Sequence, residues 1–136
     1  MGKLHLEVVT PEKVLVSEEV DSVVAPGALG EFGVLEGHVP FLSGILPGEL
    51  RYTSKGQTKY LAVTPGFAEV SNDKVSVLVD AAERAHDIDV DRARRAMERA
   101  KERLSKDRAT EDIDFARAEI ALKRAVARMK VSEKAR

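Results

Sequence analysis

Alternation with a period of two runs through the first eighty residues. In "KLHLEVVT", "KVLVSEEVDSVVA", "ELRYTSKGQTKYLAVT" and "DKVSVLVD", apolar side chains recur at every second position. A strand sends successive side chains to opposite faces, so these runs predict strands with one buried face. Their richness in Val, Leu and Tyr favours the same reading. Turn residues separate the runs at Thr10-Pro11, Pro26-Gly27, Pro47-Gly48, Lys55-Gly56, Pro65-Gly66 and Asn72-Asp73. Short strands with frequent turns and no helix between them predict an antiparallel β-sandwich or barrel. The clearest hairpin turns through "KGQT".

After Asp80 the period changes. At 100° per residue, Val90, Ala93, Met97, Ala100 and Leu104 fall on one stripe, and Phe115, Ala118, Leu122, Ala125, Val126 and Met129 fall on another. Asp87 is the predicted N-cap of the first helix, with Asp89 and Asp91 in its first turn, where the helix dipole favours negative charge. "SKDRATED" interrupts the pattern, and Thr110 or Asp112 is expected to cap the second helix. So short a connection makes the helices antiparallel neighbours. The expected fold is therefore an N-terminal antiparallel β-sandwich, residues 1–84, followed by a C-terminal two-helix hairpin, residues 85–136. Both helical stripes are dominated by alanine. At roughly 25 cal/mol per Å² of buried apolar surface, such a hairpin is only marginally stable alone.

Composition sharpens the boundary. All nine glycines and all five prolines lie in residues 1–66, and from Ala81 onward the only aromatic residue is Phe115. Residues 1–80 hold 6 Lys/Arg against 11 Asp/Glu, net −5, whereas residues 81–136 hold 16 against 12, net +4. The overall charge of −1 argues against nucleic-acid binding. With no cysteine, disulfides, thiolate metal sites and a cysteine nucleophile are excluded. The N-terminal run is not that of a signal peptide, and no segment approaches the roughly 20 apolar residues of a membrane span. Any membrane contact is expected to come through another protein.

The charged residues with a pattern are the arginines. Arg92, Arg99 and Arg103 lie within about 40° of one another on the first helix, and Arg117, Arg124 and Arg128 repeat the arrangement on the second. In an antiparallel hairpin the two stripes flank one apolar seam. Guanidinium groups are planar bidentate donors suited to phosphate oxygens. On spacing alone the ordinary reading is a solvated helix face laced with Glu and Lys, which outweighs a surface for an acidic partner or an anion site without excluding either. Elsewhere there is less. His5, His38 and His86 are too far apart for ligand spacing, so no metal site is expected, and His38 sits in a turn in a structural role. "GALGEFG" lacks the Gly-Lys-Ser/Thr of a phosphate loop. No nucleophile–base set or carboxylate pair stands out, so no catalytic residue is assigned.

Two segments together carry a family resemblance. "GALGEFGVLEGHVPFLSGILPGELRY", residues 27–52, resembles the glycine-rich signature of the epsilon subunits of F-type ATP synthases. "IDVDRARRAMERAKERL" followed by "DIDFARAEIALKRAVAR" is similar to the C-terminal helical hairpin of that family. The resemblance implies a non-catalytic subunit of the rotor stalk, peripheral on the cytoplasmic face of a bacterial inner membrane. Its sandwich is implied to dock on the gamma subunit and the c-subunit ring. Its hairpin is implied to alternate between a folded state permitting ATP hydrolysis and an extended inhibitory state reaching the beta and alpha subunits.

No cofactor is implied as required, but ATP is implied as a regulatory ligand of the folded hairpin. The family motif Ile/Leu-Asp-x-x-Arg-Ala stands here as Ile88, Asp89, Arg92 and Ala93, with supporting positions at Glu83, Arg99, Arg124 and Arg128. Two alternatives stay open. One is a purely structural coupling subunit that binds no nucleotide; the other is a free-standing nucleotide-binding protein.

Overall fold

The computed structural model describes residues 4–106 and 112–135. Ten strands come first: β1 Leu4–Val9, β2 Val14–Val20, β3 Ser22–Gly27, β4 Gly30–Val34, β5 Phe41–Ile45, β6 Gly48–Ser54, β7 Gln57–Val63, β8 Gly66–Ser71, β9 Lys74–Val79 and β10 Ala82–Arg84. A 3-10 turn, Ala85–Asp87, leads into helix α1, Val90–Lys106, and helix α2, Asp112–Ser132, ends in a second 3-10 turn, Glu133–Ala135. The strands hydrogen-bond in the order β10-β7-β6-β3-β5-β8-β9-β1-β2, with β4 added to β3. The far edge then returns to the middle. The Asp21 amide donates to the Thr53 carbonyl at 2.7 Å, and Ser54 Oγ donates to the Glu19 carbonyl at 3.2 Å. The sheet so folds on itself as a sandwich. Its interior is the inward-facing set of the alternating runs, among them Leu4, Leu6, Val8, Val23, Leu50, Tyr52, Leu61 and Val77.

The sandwich and the helix pair agree with the expected fold class, with four differences of detail. Pairing is antiparallel throughout except between β1 and β9, which run parallel in register His5 with Lys74 to Val9 with Leu78. The run "KVLVSEEVDSVVA" is two strands divided at Asp21, whose backbone turns toward β6. Pro26 and Gly27 lie inside β3 and not in a turn; the chain reverses after them, through Ala28 and Leu29 to Gly30. Finally, Asp87 belongs to the 3-10 turn, and Asp89 is the residue that caps α1. Its Oδ1 accepts the Arg92 amide at 3.0 Å, and its carbonyl accepts the Ala93 amide at 3.0 Å. Two aspartates two positions apart look alike in sequence, and the intervening turn decides between them. The expected caps of the second helix, Thr110 and the Asp112 side chain, lie outside the described residues.

Two turns are as their chemistry demands. Lys55 and Gly56 have φ of 53° and 77°, and Asn72 and Asp73 have φ of 51° and 59°. Positive φ at both central residues matches the twist of the flanking strands in a two-residue hairpin. Asp73 also fastens a loop, because its Oδ1 accepts the Gly37 amide at 2.7 Å. At Gly66 the requirement is spatial. A Cβ there would overlap the Leu78 carbonyl oxygen and lie 2.7 Å from Val79 Cα, both on the paired strand β9.

The helices dock on the sandwich through α2, which lies against β6 and β7, while α1 packs on the outer side of α2. The seam is small-residued: Ala93, Ala100, Ala118, Ala125 and Ala127 are all buried. At the base of the hairpin Ile88, Ala93 and Val131 cluster with Ala62 of β7, flanked by Tyr60, Ala85 and Met129. The start of α1 thus lies beside the end of α2, which makes the pair antiparallel.

Gly66→Ala is expected to lower the unfolding free energy of the sandwich by about 2–3 kcal/mol, because backbone cannot yield as a flexible side chain would; a urea denaturation curve measures this. Asp89→Ala removes the α1 cap. It should cost about 1 kcal/mol of helix stability, read as an earlier loss of helical ellipticity on heating while the near-ultraviolet signal of the sandwich persists.

Candidate functional site

Strand β10 positions the junction between the two halves. It pairs with β7, so its adjacent residues Glu83 and Arg84 project to opposite faces. Arg84 reaches into the sandwich, where Nη1 donates to the Tyr52 hydroxyl at 3.1 Å and Nη2 donates to the Leu15 carbonyl at 3.0 Å. The Tyr52 hydroxyl in turn donates to Glu18 at 3.3 Å. Burial pushes the Tyr52 phenol above its ordinary pKa and the Arg84 hydrogen bond partly offsets this, so the phenol keeps its donor proton at neutral pH. Glu83 faces the hairpin. Arg128 of α2 donates to it through Nε at 2.6 Å and through Nη2 at 3.4 Å. This two-armed pair is partly shielded, and charge-assisted bonds of this geometry are the stronger kind.

The eight site residues singled out in the sequence divide into four groups. Glu83 and Arg128 are brought together directly, across 45 positions of sequence. Ile88 and Ala93 are also together, but as buried members of the cluster at the base of the hairpin. Their side chains fasten the first turn of α1 to β7 and the end of α2, so that cluster is what fixes the motif's apolar positions. Asp89 spends one carboxylate oxygen on capping α1. Arg92, Arg99 and Arg124 lie exposed on the two adjacent helices, and their guanidinium groups make no ion pair among the described residues. Of the four candidate-site arginines, three are therefore without an ion pair among the described residues and one, Arg128, is already held by a carboxylate.

The grooves between hairpin and sandwich are lined by other residues. One is bounded by Leu122, Lys123, Val126 and Lys130 of α2 and by Glu31 and Glu49 of the sandwich. Arg51 pairs with both of these carboxylates, at 2.9 Å and 3.2 Å. The other groove lies under the C-terminal 3-10 turn, where Lys134 stands over the Tyr60 ring at 5.2 Å from its centroid. Arg84, Tyr60 and Lys134 were not singled out in the sequence. A three-residue strand is too short to show a period, and Lys134 follows the last helical stripe, so neither pattern could have found them.

A second exposed feature belongs to the glycine-rich segment. Leu29 is fully exposed, and Leu35, Val39 and Leu42 are each more than 60% exposed, an apolar set that the chain itself leaves uncovered. Beside them Phe32 and Phe41 meet edge to face with centroids 5.1 Å apart. His38 closes a turn through its amide to the Leu35 carbonyl at 3.1 Å, and has Nδ1 2.6 Å from the Val39 carbonyl and its ring near Phe41. No group of His, Asp or Glu that could hold a metal ion occurs among the described residues. No described helix is long and apolar enough to cross a membrane.

Comparison with known proteins agrees with this architecture. Residues 3–85 match the family model described as ATP synthase, Delta/Epsilon chain, beta-sandwich domain, and residues 86–133 match its long alpha-helix domain. The chain is 56% identical over 128 residues to an ATP synthase epsilon chain of Nitratidesulfovibrio vulgaris, covering 94% of each protein. It is 54% identical over 134 residues to that of Syntrophobacter fumaroxidans, covering 97% of each. A chain of the Euglena gracilis mitochondrial ATP synthase has the same fold, with a TM-score of 0.80 at 22% identity over 99% of this chain and 81% of that one. A chain of the Tetrahymena thermophila central stalk and c-ring gives 0.61 at 15% identity over 98% of this chain and 96% of that one. With both of its modules matched in order and relatives at more than half identity along almost its whole length, this chain belongs to the ATP synthase epsilon-chain family.

Proposed function

We propose that the chain is a non-catalytic rotor-stalk subunit of an F-type ATP synthase, working at the cytoplasmic face of a bacterial inner membrane, whose hairpin restrains ATP hydrolysis when it leaves the sandwich. The observation that carries this reading is how the hairpin is held. The two helices bury mostly alanines, and the hairpin meets the sandwich through a small apolar cluster at its base and, among the described residues, one ion pair, Glu83–Arg128. Alanine contributes little area at roughly 25 cal/mol per Å². Docked and released states separated by only a few kcal/mol are what a two-state regulatory element requires. Two structural neighbours, one from an F1 and c-ring assembly and one from a central stalk and c-ring assembly, support the stalk placement.

On this reading the sandwich docks on the gamma subunit and the c-ring, and the uncovered Leu29, Leu35, Val39 and Leu42 contribute apolar contact area. The released hairpin extends along gamma, and its arginines meet acidic surfaces of the beta and alpha subunits. In the docked hairpin ATP lies across the two helices. Arg92, Arg99 and Arg124 take its phosphates, Glu83 and Asp89 accept hydrogen bonds from the base or ribose, and Ile88 and Ala93 hold the start of α1 in place. Arg128 joins them only by exchanging the Glu83 carboxylate for phosphate. Bound ATP bridges α1 and α2, and a tenfold excess over its Kd stabilises the docked state by roughly 1.4 kcal/mol. Low ATP then favours release and restraint of hydrolysis.

A second reading is favoured by two commitments inside the chain: Asp89 is used as a cap and Arg128 is held by Glu83. In it the arginines serve acidic partner surfaces alone, inhibition weakens with salt, and ATP leaves the hairpin unchanged.

Isothermal titration distinguishes the two. ATP should bind the intact chain saturably, and Arg92→Ala should abolish binding without altering the melting of the sandwich; unchanged affinity in Arg92→Ala rules out the arginine site. Stalk placement is tested by co-purification with gamma, where failure to associate contradicts it. Glu83→Gln should weaken docking by about 1 kcal/mol. Trypsin would then cleave the hairpin arginines about fivefold faster while leaving the sandwich intact.

A further inference from the structure

The groove under the C-terminal 3-10 turn differs from the rest of the hairpin interface in its charge. It is lined by Lys59 and Tyr60 of β7, by Arg84 and His86 around the end of β10, and by Lys134 of the last turn, with a volume of about 490 Å³. No carboxylate belongs to its lining among the described residues. The groove at Lys123 and Lys130 of α2 differs in having two carboxylates, Glu31 and Glu49, in its lining.

These cations are also weakly satisfied within the chain. Lys134 rests on the Tyr60 ring, at 5.2 Å from the centroid, and neither it nor Lys59 makes an ion pair among the described residues. His86 faces only Asp87, with Nε2 3.5 Å from Oδ1 and both side chains largely exposed. Arg84 borders the groove, but its guanidinium is turned into the sandwich and held by the Tyr52 hydroxyl and the Leu15 carbonyl, so the cations left for the groove are the two lysines and His86 when protonated. Glu83, next to it, is turned to Arg128. Like charges gathered around one groove repel unless an anion lies among them.

We propose that this groove binds a phosphate-class anion, inorganic phosphate or the phosphates of a nucleotide, between Lys59 and Lys134 beside the Tyr60 ring. Lysine ammonium groups act on phosphate as point charges and need no fixed bidentate geometry, which suits side chains on the rim of a groove. Lys59 belongs to the sandwich and Lys134 to the end of the hairpin, so the anion ties one module to the other. It therefore binds the docked state and is released on undocking, and anion affinity and docking strengthen each other reciprocally. The site shares no residue with the arginine stripes, so its existence does not depend on ATP binding there.

The test is a titration of the full-length, nitrogen-15-labelled chain with inorganic phosphate, and separately with ATP, at ionic strength held constant with chloride. Phosphate should shift the amide resonances of Tyr60, His86 and Lys134 saturably. The double variant Lys59→Ala, Lys134→Ala should bind on the order of tenfold more weakly, since one charge-assisted hydrogen bond is worth at least that factor. Both lysines are exposed, so the variant keeps its fold. Lys13→Ala, which removes an exposed cation outside both basic regions, should leave the shifts of these three amides unchanged. Three results overturn the proposal: shifts that chloride alone reproduces, a phosphate response confined to the helical arginines and lost in Arg92→Ala, or shifts at these amides produced by an acidic peptide and not by phosphate.

Discussion

Strand β10 is three residues long, and the relation between the two halves of the molecule rests on it. Because neighbouring residues of a strand project to opposite faces, Glu83 and Arg84 act in opposite directions. Arg84 locks the strand into the sandwich through the Tyr52 hydroxyl and the Leu15 carbonyl. Glu83, held rigid by that anchorage, presents a carboxylate to Arg128 of α2. Four residues after Arg84 the chain buries Ile88 against Ala62 and Val131 and enters α1 through the Asp89 cap. A strand locked to the sandwich, a carboxylate paired with α2 and the entry into α1 are thereby arranged within a few residues.

The two sides of the pivot are stabilised by different physics. The sandwich buries Leu, Val and Tyr side chains from alternating positions on nearly every strand, and no inward position can change without a cavity or an overlap. The hairpin buries mostly alanines, which allow close approach but contribute little transfer free energy. On the proposed function, docking through one ion pair among the described residues and one apolar cluster would respond to charge, whether an acidic partner surface or a bound anion. The exposed arginines of α1 and α2 and the basic groove at Lys134 are both placed where such charge would act on the docking equilibrium.

Much of this was legible in the sequence. Period-two runs located the strands, and Lys55-Gly56 and Asn72-Asp73 announced turns that need positive φ. The alanine stripes predicted a helix pair with a weak seam. What could not be read were the non-local choices. The parallel pairing of β1 with β9 joins strands more than sixty positions apart. The division of "KVLVSEEVDSVVA" at Asp21, where the backbone bonds to Thr53, moves the buried positions from Val16 and Val20 to Val23 and Ala25, a change of phase that the adjacent Val23 and Val24 mask in the sequence. The cap at Asp89 in preference to Asp87 depends on a 3-10 turn that has no pattern of its own. In the candidate site the motif positions were visible, but their division of labour was not. Whether Ile88 and Ala93 face a ligand or a core depends on where β7 and α2 lie, as does the capture of Arg128 by Glu83.

The central claim is that the hairpin is a separately and weakly docked unit on a stable sandwich. Native-state hydrogen exchange of the intact chain tests it directly. The account predicts that amides of α1 and α2 exchange through an opening of only a few kcal/mol, well below the global unfolding that exposes the amides of β1, β6 and β9. Exchange of both sets through the same opening, with one common dependence on denaturant, would make the molecule a single cooperative unit and contradict the account.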